Sequence, residues 1–222
     1  MVEETNGFVT DAVLAPSDLM SVSDGTNILV LGSEIDTARV FANQLLALAS
    51  QYDENALVIS TDGQVDEIVE TLGGPSTDGE AADLTIIDCS GNAEGDDDRK
   101  THTTMSVESP GNLTDLGMAF IEYEDKHGDD TSGTRVMFDS ISTLFEHLEE
   151  DRVFEFIAAF KGRIHTSEHL GLWVMDTSET SDASISTFTE LFDIVLEVRD
   201  IGGTLQYRTR GENDDWMTIP QS

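Results

Sequence analysis

Basic residues are nearly missing from this chain. Its 222 residues hold 45 Asp and Glu against 11 Lys and Arg, a formal net charge of -34, and lysine occurs only at Lys100, Lys126 and Lys161. A face that grips nucleic acid is built from clustered Lys and Arg; none is visible here, so nucleic acid is not an expected partner. Cysteine is equally scarce. Cys89 stands alone, which excludes an intramolecular disulfide and fits a reducing interior. It follows the apolar run 84–87, as a buried structural thiol would. No stretch approaches the roughly 18 apolar residues of a membrane-crossing helix, and Met1-Val-Glu-Glu-Thr5 lacks the basic and apolar regions of a signal peptide. A soluble, cytoplasmic protein without a membrane partner is expected. Metal and hydrolase motifs are missing too. His165 and His169 have helical spacing, but a strand opens at Leu170, so the helix ends between them and no metal site is predicted. No Ser-His-Asp set or Cys-His pair has a supporting context.

What is present is a folded α/β pattern. A hydrophobic content of 38% and clear periodic segments separate the chain from acidic disordered proteins. Its charge repels itself in dilute buffer, whereas in molar salt the Debye length shrinks to about 3 Å and the repulsion fades. The acidity therefore reads as adaptation to a salt-filled cytoplasm, as in extreme halophiles. Length supports one domain over residues 27–222, preceded by an N-terminal segment, 1–26.

Short apolar runs at 28–31, 56–60, 84–88, 135–139 and 170–176 read as strands. Amphipathic patterns at 37–50, 65–72, 112–127 and 153–166 read as helices, the last with Asp151 as N-cap. Their alternation predicts a mostly parallel sheet flanked by helices. Strands at 194–198, 204–208 and 216–219, joined by turns at Gly202-Gly203 and 212–215, predict an antiparallel C-terminal edge. Residues 89–111 form the one long loop, polar through 91–98, of a length that is functional or mobile in compact domains.

The stretch Asn27-Ile-Leu-Val-Leu-Gly-Ser-Glu-Ile-Asp-Thr-Ala-Arg39 has the strand–loop–helix frame of a Walker A motif, G-x-x-x-x-G-K-[ST]. Aligned on Gly32, the second glycine is Thr37, the lysine is Ala38 and the hydroxyl residue is Arg39. The glycine lets backbone N–H groups approach phosphate, the lysine reaches the β and γ oxygens, and the hydroxyl ligates Mg²⁺. All three are replaced. Read simply as a strand-to-helix turn, the segment would be capped by Asp36 or Thr37, with Arg39 paired to Glu34 or Asp36.

Four further segments fall in order behind it. Ala56-Leu-Val-Ile-Ser-Thr-Asp-Gly63 with Asp66-Glu-Ile68, Arg135-Val-Met-Phe-Asp-Ser-Ile-Ser142, Leu170-Gly-Leu-Trp-Val-Met-Asp176 and Tyr207-Arg-Thr-Arg-Gly211 together resemble the KaiC-like RecA-superfamily ATPases. The resemblance points to the small KaiC-like proteins of halophilic archaea. The resemblance spans residues 27 to about 219 and implies a RecA-like α/β fold. It implies that Asp139 stands at the Walker B position, where it would hold Mg²⁺, and that Asp62 and Gly63 replace a pair of catalytic glutamates. Arg208 and Arg210 stand where basic residues reach a neighbouring subunit's nucleotide.

Three functional readings follow. The first is a regulator without catalysis, a pseudo-ATPase that binds a protein partner or its own copies in a signalling or motility pathway, with no cofactor. The second is a divergent ATPase that binds ATP and Mg²⁺ through Gly32, Thr37, Ala38, Arg39 and Asp139, uses Asp62 as base, and needs Arg208 or Arg210 across an oligomer interface. The third is a recombinase-like DNA-binding paralogue. Asp62, Asp88, Asp139 and Asp176 all end strands, where open α/β sheets place their ligand crevice.

Overall fold

The computed structural model describes residues 7–11, 13–14, 21–63, 65–72, 83–91, 102–127, 133–178, 180–211 and 215–219. In chain order they form β1 (Phe8–Val9), β2 (Ser21–Val22), β3 (Asn27–Gly32), α1 (Ile35–Ala47), β4 (Asn55–Ser60), α2 (Val65–Leu72), β5 (Leu84–Asp88), β6 (Thr103–Ser106), α3 (Leu113–His127), β7 (Thr134–Asp139), α4 (Glu150–Thr166), β8 (Leu170–Asp176), α5 (Asp182–Thr189), β9 (Ile194–Asp200), β10 (Leu205–Thr209) and β11 (Met217–Thr218). Strands β1 and β2 pair as a small antiparallel ladder. The others make one nine-stranded sheet in the order β11-β10-β9-β3-β8-β7-β4-β5-β6. From β9 to β6 every neighbouring pair is parallel, and β10 and β11 extend the sheet antiparallel.

Every residue of β3, β4, β5 and β7 is buried, because helices cover both faces; this is why these strands read as unbroken apolar runs. Side chains alternate between the two layers. Ile28, Val30, Leu172 and Val174 pack with α1 and α2, while Leu29, Leu31, Trp173 and Met175 pack with α3, α4 and α5. Helix α1 presents Ala38, Phe41, Ala42, Leu45 and Leu46 to the sheet, an i, i+3, i+4, i+7, i+8 stripe that keeps one face apolar through more than two turns. Phe8, Val13, Leu14 and Val22 belong to the same buried cluster.

Several expectations need correction. Segment 194–198 is the start of β9, which pairs antiparallel with β10 as expected but also joins the parallel sheet through β3, with Leu196 opposite Val30. Two apolar neighbours, β3 and α1, offered it a better burial than an edge ribbon alone. Residues 89–111 are not one loop, since β6 adds a strand beside β5; its half-exposed, Thr-rich sequence carries little apolar signal. Helix α4 begins at Glu150, with Glu149 at the N-cap and no side-chain cap bond, so Asp151 is inside the first turn, where its charge still favours the helix dipole. Helix α5, unpredicted, is capped by Ser181, whose hydroxyl accepts from the Ser184 N–H at 3.1 Å. The polar run 92–98 and positions 212–214 lie outside the described residues.

Arg135, which opens β7, is fully buried. Its Nε donates to Glu54, while Nη1 and Nη2 donate to the carbonyls of Leu45 and Val9, both at 2.9 Å. The guanidinium thereby ties β1 and α1 to the lower end of the sheet, opposite the candidate site.

Candidate functional site

The candidate site lies at the carboxyl ends of β3, β4 and β7. Strand β3 ends at Gly32 and α1 starts at Ile35, leaving only Ser33 and Glu34 between them. The helix thus begins before residue 37, and Thr37, Ala38 and Arg39 lie in its first turns rather than in a phosphate loop. Glu34 takes the N-cap without a side-chain cap bond, so neither Asp36 nor Thr37 caps; Thr37 Oγ1 instead donates to Glu34 Oε2 at 3.4 Å. A Cβ built on Gly32 would meet Ala38 Cβ at 2.9 Å and the Glu34 carbonyl at 3.0 Å. Gly32 is needed for close helix–strand packing, and Ala38 fills the space above it.

Arg39 departs most from expectation. The side chain, 8% exposed, turns beneath α1 toward the end of β7. Nε donates to Asp139 Oδ1 at 2.6 Å, and Nη2 donates to Asp62 Oδ2. The predicted pair with Asp36 is present as the longest of the three contacts, Nη1 to Oδ1 at 3.8 Å, and no pair with Glu34 is formed among the described residues. The physical reason is burial: a desolvated guanidinium needs charged, close partners, and the flanking acids of α1 point to water. Asp139 is itself 1% exposed. Burial pushes its carboxyl up to about 6; Arg39 pulls the value down by charge and hydrogen bond, while Asp62 and Glu67 push it further up. Burial works against the Arg39 cation, but Asp139 and then Asp62 outweigh it and hold the guanidinium's pKa above its ordinary value.

Three of the residues picked out in the sequence, Arg39, Asp62 and Asp139, therefore meet, joined as acid–cation–acid. Pairing of β4 with β7, Ser60 opposite Asp139, sets the two carboxylates side by side. The missed feature was the cation between them. Its only sequence signal is a lone arginine one helical position past the apolar stripe, in a chain with few cations to spare.

The other candidates sit elsewhere. Arg208 Nε donates to Glu197 Oε2 at 2.7 Å, and Arg210 Nη1 lies 3.8 Å from Glu197 Oε1. Trp216, half-buried, stacks with the guanidinium carbons of Arg199 and Arg208 at 3.9 and 4.7 Å from its ring centre. Asp88 Oδ1 accepts from the Ser90 N–H at 2.9 Å, and Asp176 Oδ1 accepts from the Ser178 N–H and hydroxyl at 2.7 Å each. Among the described residues no group of three or more His, Cys, Asp or Glu is placed to hold a metal ion. His165 Nδ1 is 3.2 Å from the Gly25 carbonyl, and burial lowers the pKa of His169. Burial likewise pushes the Cys89 thiol up to about 12. Trp173 is core, its Nε1 donating to Asn27 Oδ1 at 3.0 Å.

Two cavities flank the Arg39 side chain. A cleft of about 730 Å³ opens over the strand ends, with Asp62, Ser140, Phe145 and Asp176 in its wall. A groove of about 240 Å³ runs between α1 and α2, floored by Met137 and Asp139. Arg39 lines both. Ser140 has φ 75, a left-handed conformation of the kind that concentrates at ligand sites. Thr61 Oγ1 donates to the Asp139 carbonyl at 2.5 Å and so braces this turn.

No helix of the described residues is long and apolar enough to cross a membrane. Comparison with curated proteins gives no match. Among solved structures the chain is similar to the KaiC-like protein PH0186 from the hyperthermophilic archaeon Pyrococcus horikoshii OT3, with TM-score 0.61 and 14% identity over 91% of this chain and 87% of that one. It is also similar to PH0321, an uncharacterized protein from Pyrococcus horikoshii in complex with an unknown peptide, with TM-score 0.65 and 11% identity over 87% of this chain and 86% of that one. At these identities the likeness is one of fold, and the fold is KaiC-like and RecA-like. A model of the family of unknown function DUF7504 matches residues 25–198, and the chain belongs to that family.

Proposed function

We propose that this protein is a non-catalytic, KaiC-like regulator, a pseudo-ATPase that acts by protein–protein contact in a salt-rich cytoplasm. The observation that carries the reading is the Arg39 guanidinium between Asp139 and Asp62. Phosphoryl transfer depends on a flexible phosphate loop, a cation on the γ-phosphate and a Mg²⁺ ion held by oxygen ligands. The residues present do not fit Mg²⁺–ATP. The connection after β3 is two residues long, Ala38 packs over Gly32, and the Walker B carboxylate already faces a cation at 2.6 Å. The Asp62 carboxylate, the remaining candidate base, is held by the same guanidinium. Arg208 pairs with Glu197, and Arg210 shares the same carboxylate at 3.8 Å, so within one chain both already face a carboxylate of their own sheet edge. The peptide bound to one fold neighbour supports protein contact as a use of such a scaffold. A role in signal transduction comes from the family resemblance.

Calorimetric titration with Mg²⁺–ATP in molar KCl, paired with light scattering for mass, tests the reading. No saturable heat and no hydrolysis above blank are expected. Hydrolysis at high KCl that disappears in Asp139→Ala would overturn it.

A further inference from the structure

Helix α1 turns an uncharged face to solvent in a chain where 25% of residues are charged. Residues 40–52 are its longest stretch without an acidic or basic side chain. The inward half of that stretch, with Phe41 and Leu45, is core. The outward half is Val40, Asn43, Gln44 and Ala47, which together make one wall of the groove between α1 and α2. A dispersed acidic surface keeps copies of a chain apart, and depletion of charge at the centre of a patch is the compositional mark of a protein interface. Val40, 50% exposed, and Tyr52, 39% exposed, stand at the two ends of the stretch and are two of the five large apolar side chains exposed among the described residues. A second observation lies in the same wall. Asn43 Oδ1 is shut off from water and has no hydrogen-bond partner among the described residues, a costly state for an amide oxygen. The groove beside it, about 240 Å³, gives an incoming side chain room to reach that oxygen once the amide turns outward, and such rotamer changes are common on binding.

We propose that this face is a contact between two copies of the chain, packed α1 against α1 about a two-fold axis that passes between Asn43 and Gln44. Across such an axis residue i meets j and j meets i, and the order of residues on α1 suits that rule. With the helices antiparallel, Asn43 faces Gln44 of the second copy, whose side-chain N–H donates to the partnerless Asn43 Oδ1. Val40 faces Ala47 of the second copy, large against small, so the two axes can approach to about 8–10 Å. The exposed Asp36 carboxylate lies toward the uncharged end at Ser50 and Gln51 of the second copy, and the two Asp36 side chains are held at opposite ends of the contact. A parallel pairing would set them side by side. A strongly charged partner would find no counter-charge in residues 40–52; a second copy of the same neutral, amide-bearing face needs none. The contact does not depend on whether a nucleotide binds.

Sedimentation equilibrium of the full chain in molar KCl, where like-charge repulsion is screened, should show monomer and dimer in exchange. Val40→Glu sets a carboxylate into the contact twice over and should weaken association about tenfold or more, with the unfolding midpoint unchanged because the position is already exposed. Gln44→Ala should weaken the dimer about fivefold in the wild-type background and have little effect beside Asn43→Ala, because the two side chains act as a pair. Gln44→Cys, next to the axis, should be joined to its own copy by a mild oxidant, whereas Met118→Cys, on the exposed face of α3, should not; the native Cys89 is buried. A chain that stays monomeric up to about 1 mM would overturn the contact. So would a dimer that survives Val40→Glu, additive effects at positions 43 and 44, or cross-linking through Met118→Cys but not Gln44→Cys.

Discussion

Arginine 39 gives the most decisive test of the physical reasoning. Arg39→Ala removes the one cation between two carboxylates, of which the Asp139 side chain is 2% and the Asp62 side chain 26% exposed. Breaking a buried pair from one side leaves an uncompensated charge and costs about 3–5 kcal/mol; the partial exposure of Asp62 places the expected loss near the lower figure. The loss should depend on pH. Asp139, whose carboxyl already sits at about 6 in the intact protein, will hold its proton to still higher pH once Arg39 is gone. Below pH 5 that carboxyl is neutral with or without the arginine, so the penalty should shrink to roughly a third. Urea unfolding in molar KCl at pH 7.5 and pH 5, followed by circular dichroism, measures both values. Adding Asp139→Asn to Arg39→Ala should recover most of the stability, because no buried charge is then orphaned. A loss under about 1 kcal/mol at pH 7.5, or the same loss at both pH values, would refute a desolvated acid–cation–acid bridge.

Other outcomes follow from the same geometry. Because the Asp139 carboxyl is raised from 3.8 to about 6, its contribution to stability is fully present below pH 3.8 and is lost as pH rises through 6; subtracting the Asp139→Asn unfolding curve from the wild-type curve should reveal a fall on the order of 3 kcal/mol across that window. Gly32→Ala forces a methyl to within 2.9 Å of Ala38 Cβ and should destabilise by about 1–3 kcal/mol, with Ala38→Gly in the same chain restoring part of it. Cys89, buried and pushed up to about 12, should resist a thiol reagent at pH 8 in the folded protein and react at once in denaturant. With a net charge of -34, the melting temperature should climb steeply between low and molar KCl, since screening relieves self-repulsion.

The sheet and its helices were legible because their signals are local. Val65–Leu72, β5 and β8 were located to the residue and β7 to within one, because burial on both faces forces continuous apolar runs in the strands that polar turns then interrupt. Strand β6 and helix α5 were not found. The first is a half-exposed Thr-rich edge held by its pairing with β5, and the second is an eight-residue helix, half of it Ser and Thr, docked by Ile185 and Phe188. Their stability comes from what they pack against, not from propensity. The same holds for Arg135, ordinary at the head of a strand in sequence and the buried tie of three elements in space.

The order of residues along the chain by itself determined the alternation of strands and helices, the replacement of the phosphate-loop chemistry at Thr37, Ala38 and Arg39, and the carboxylates Asp62, Asp88, Asp139 and Asp176 at or just past four strand ends. Tertiary structure alone decided that a two-residue turn closes the loop, that Ala38 seals Gly32, and that Arg39 lies between Asp139 and Asp62. Residues 39, 62 and 139 are far apart in the chain, and an ion pair is chosen by distance and desolvation. Periodicity reports which way a side chain faces; only the assembled sheet, with β4 beside β7 beneath α1, sets which charges must neutralise one another.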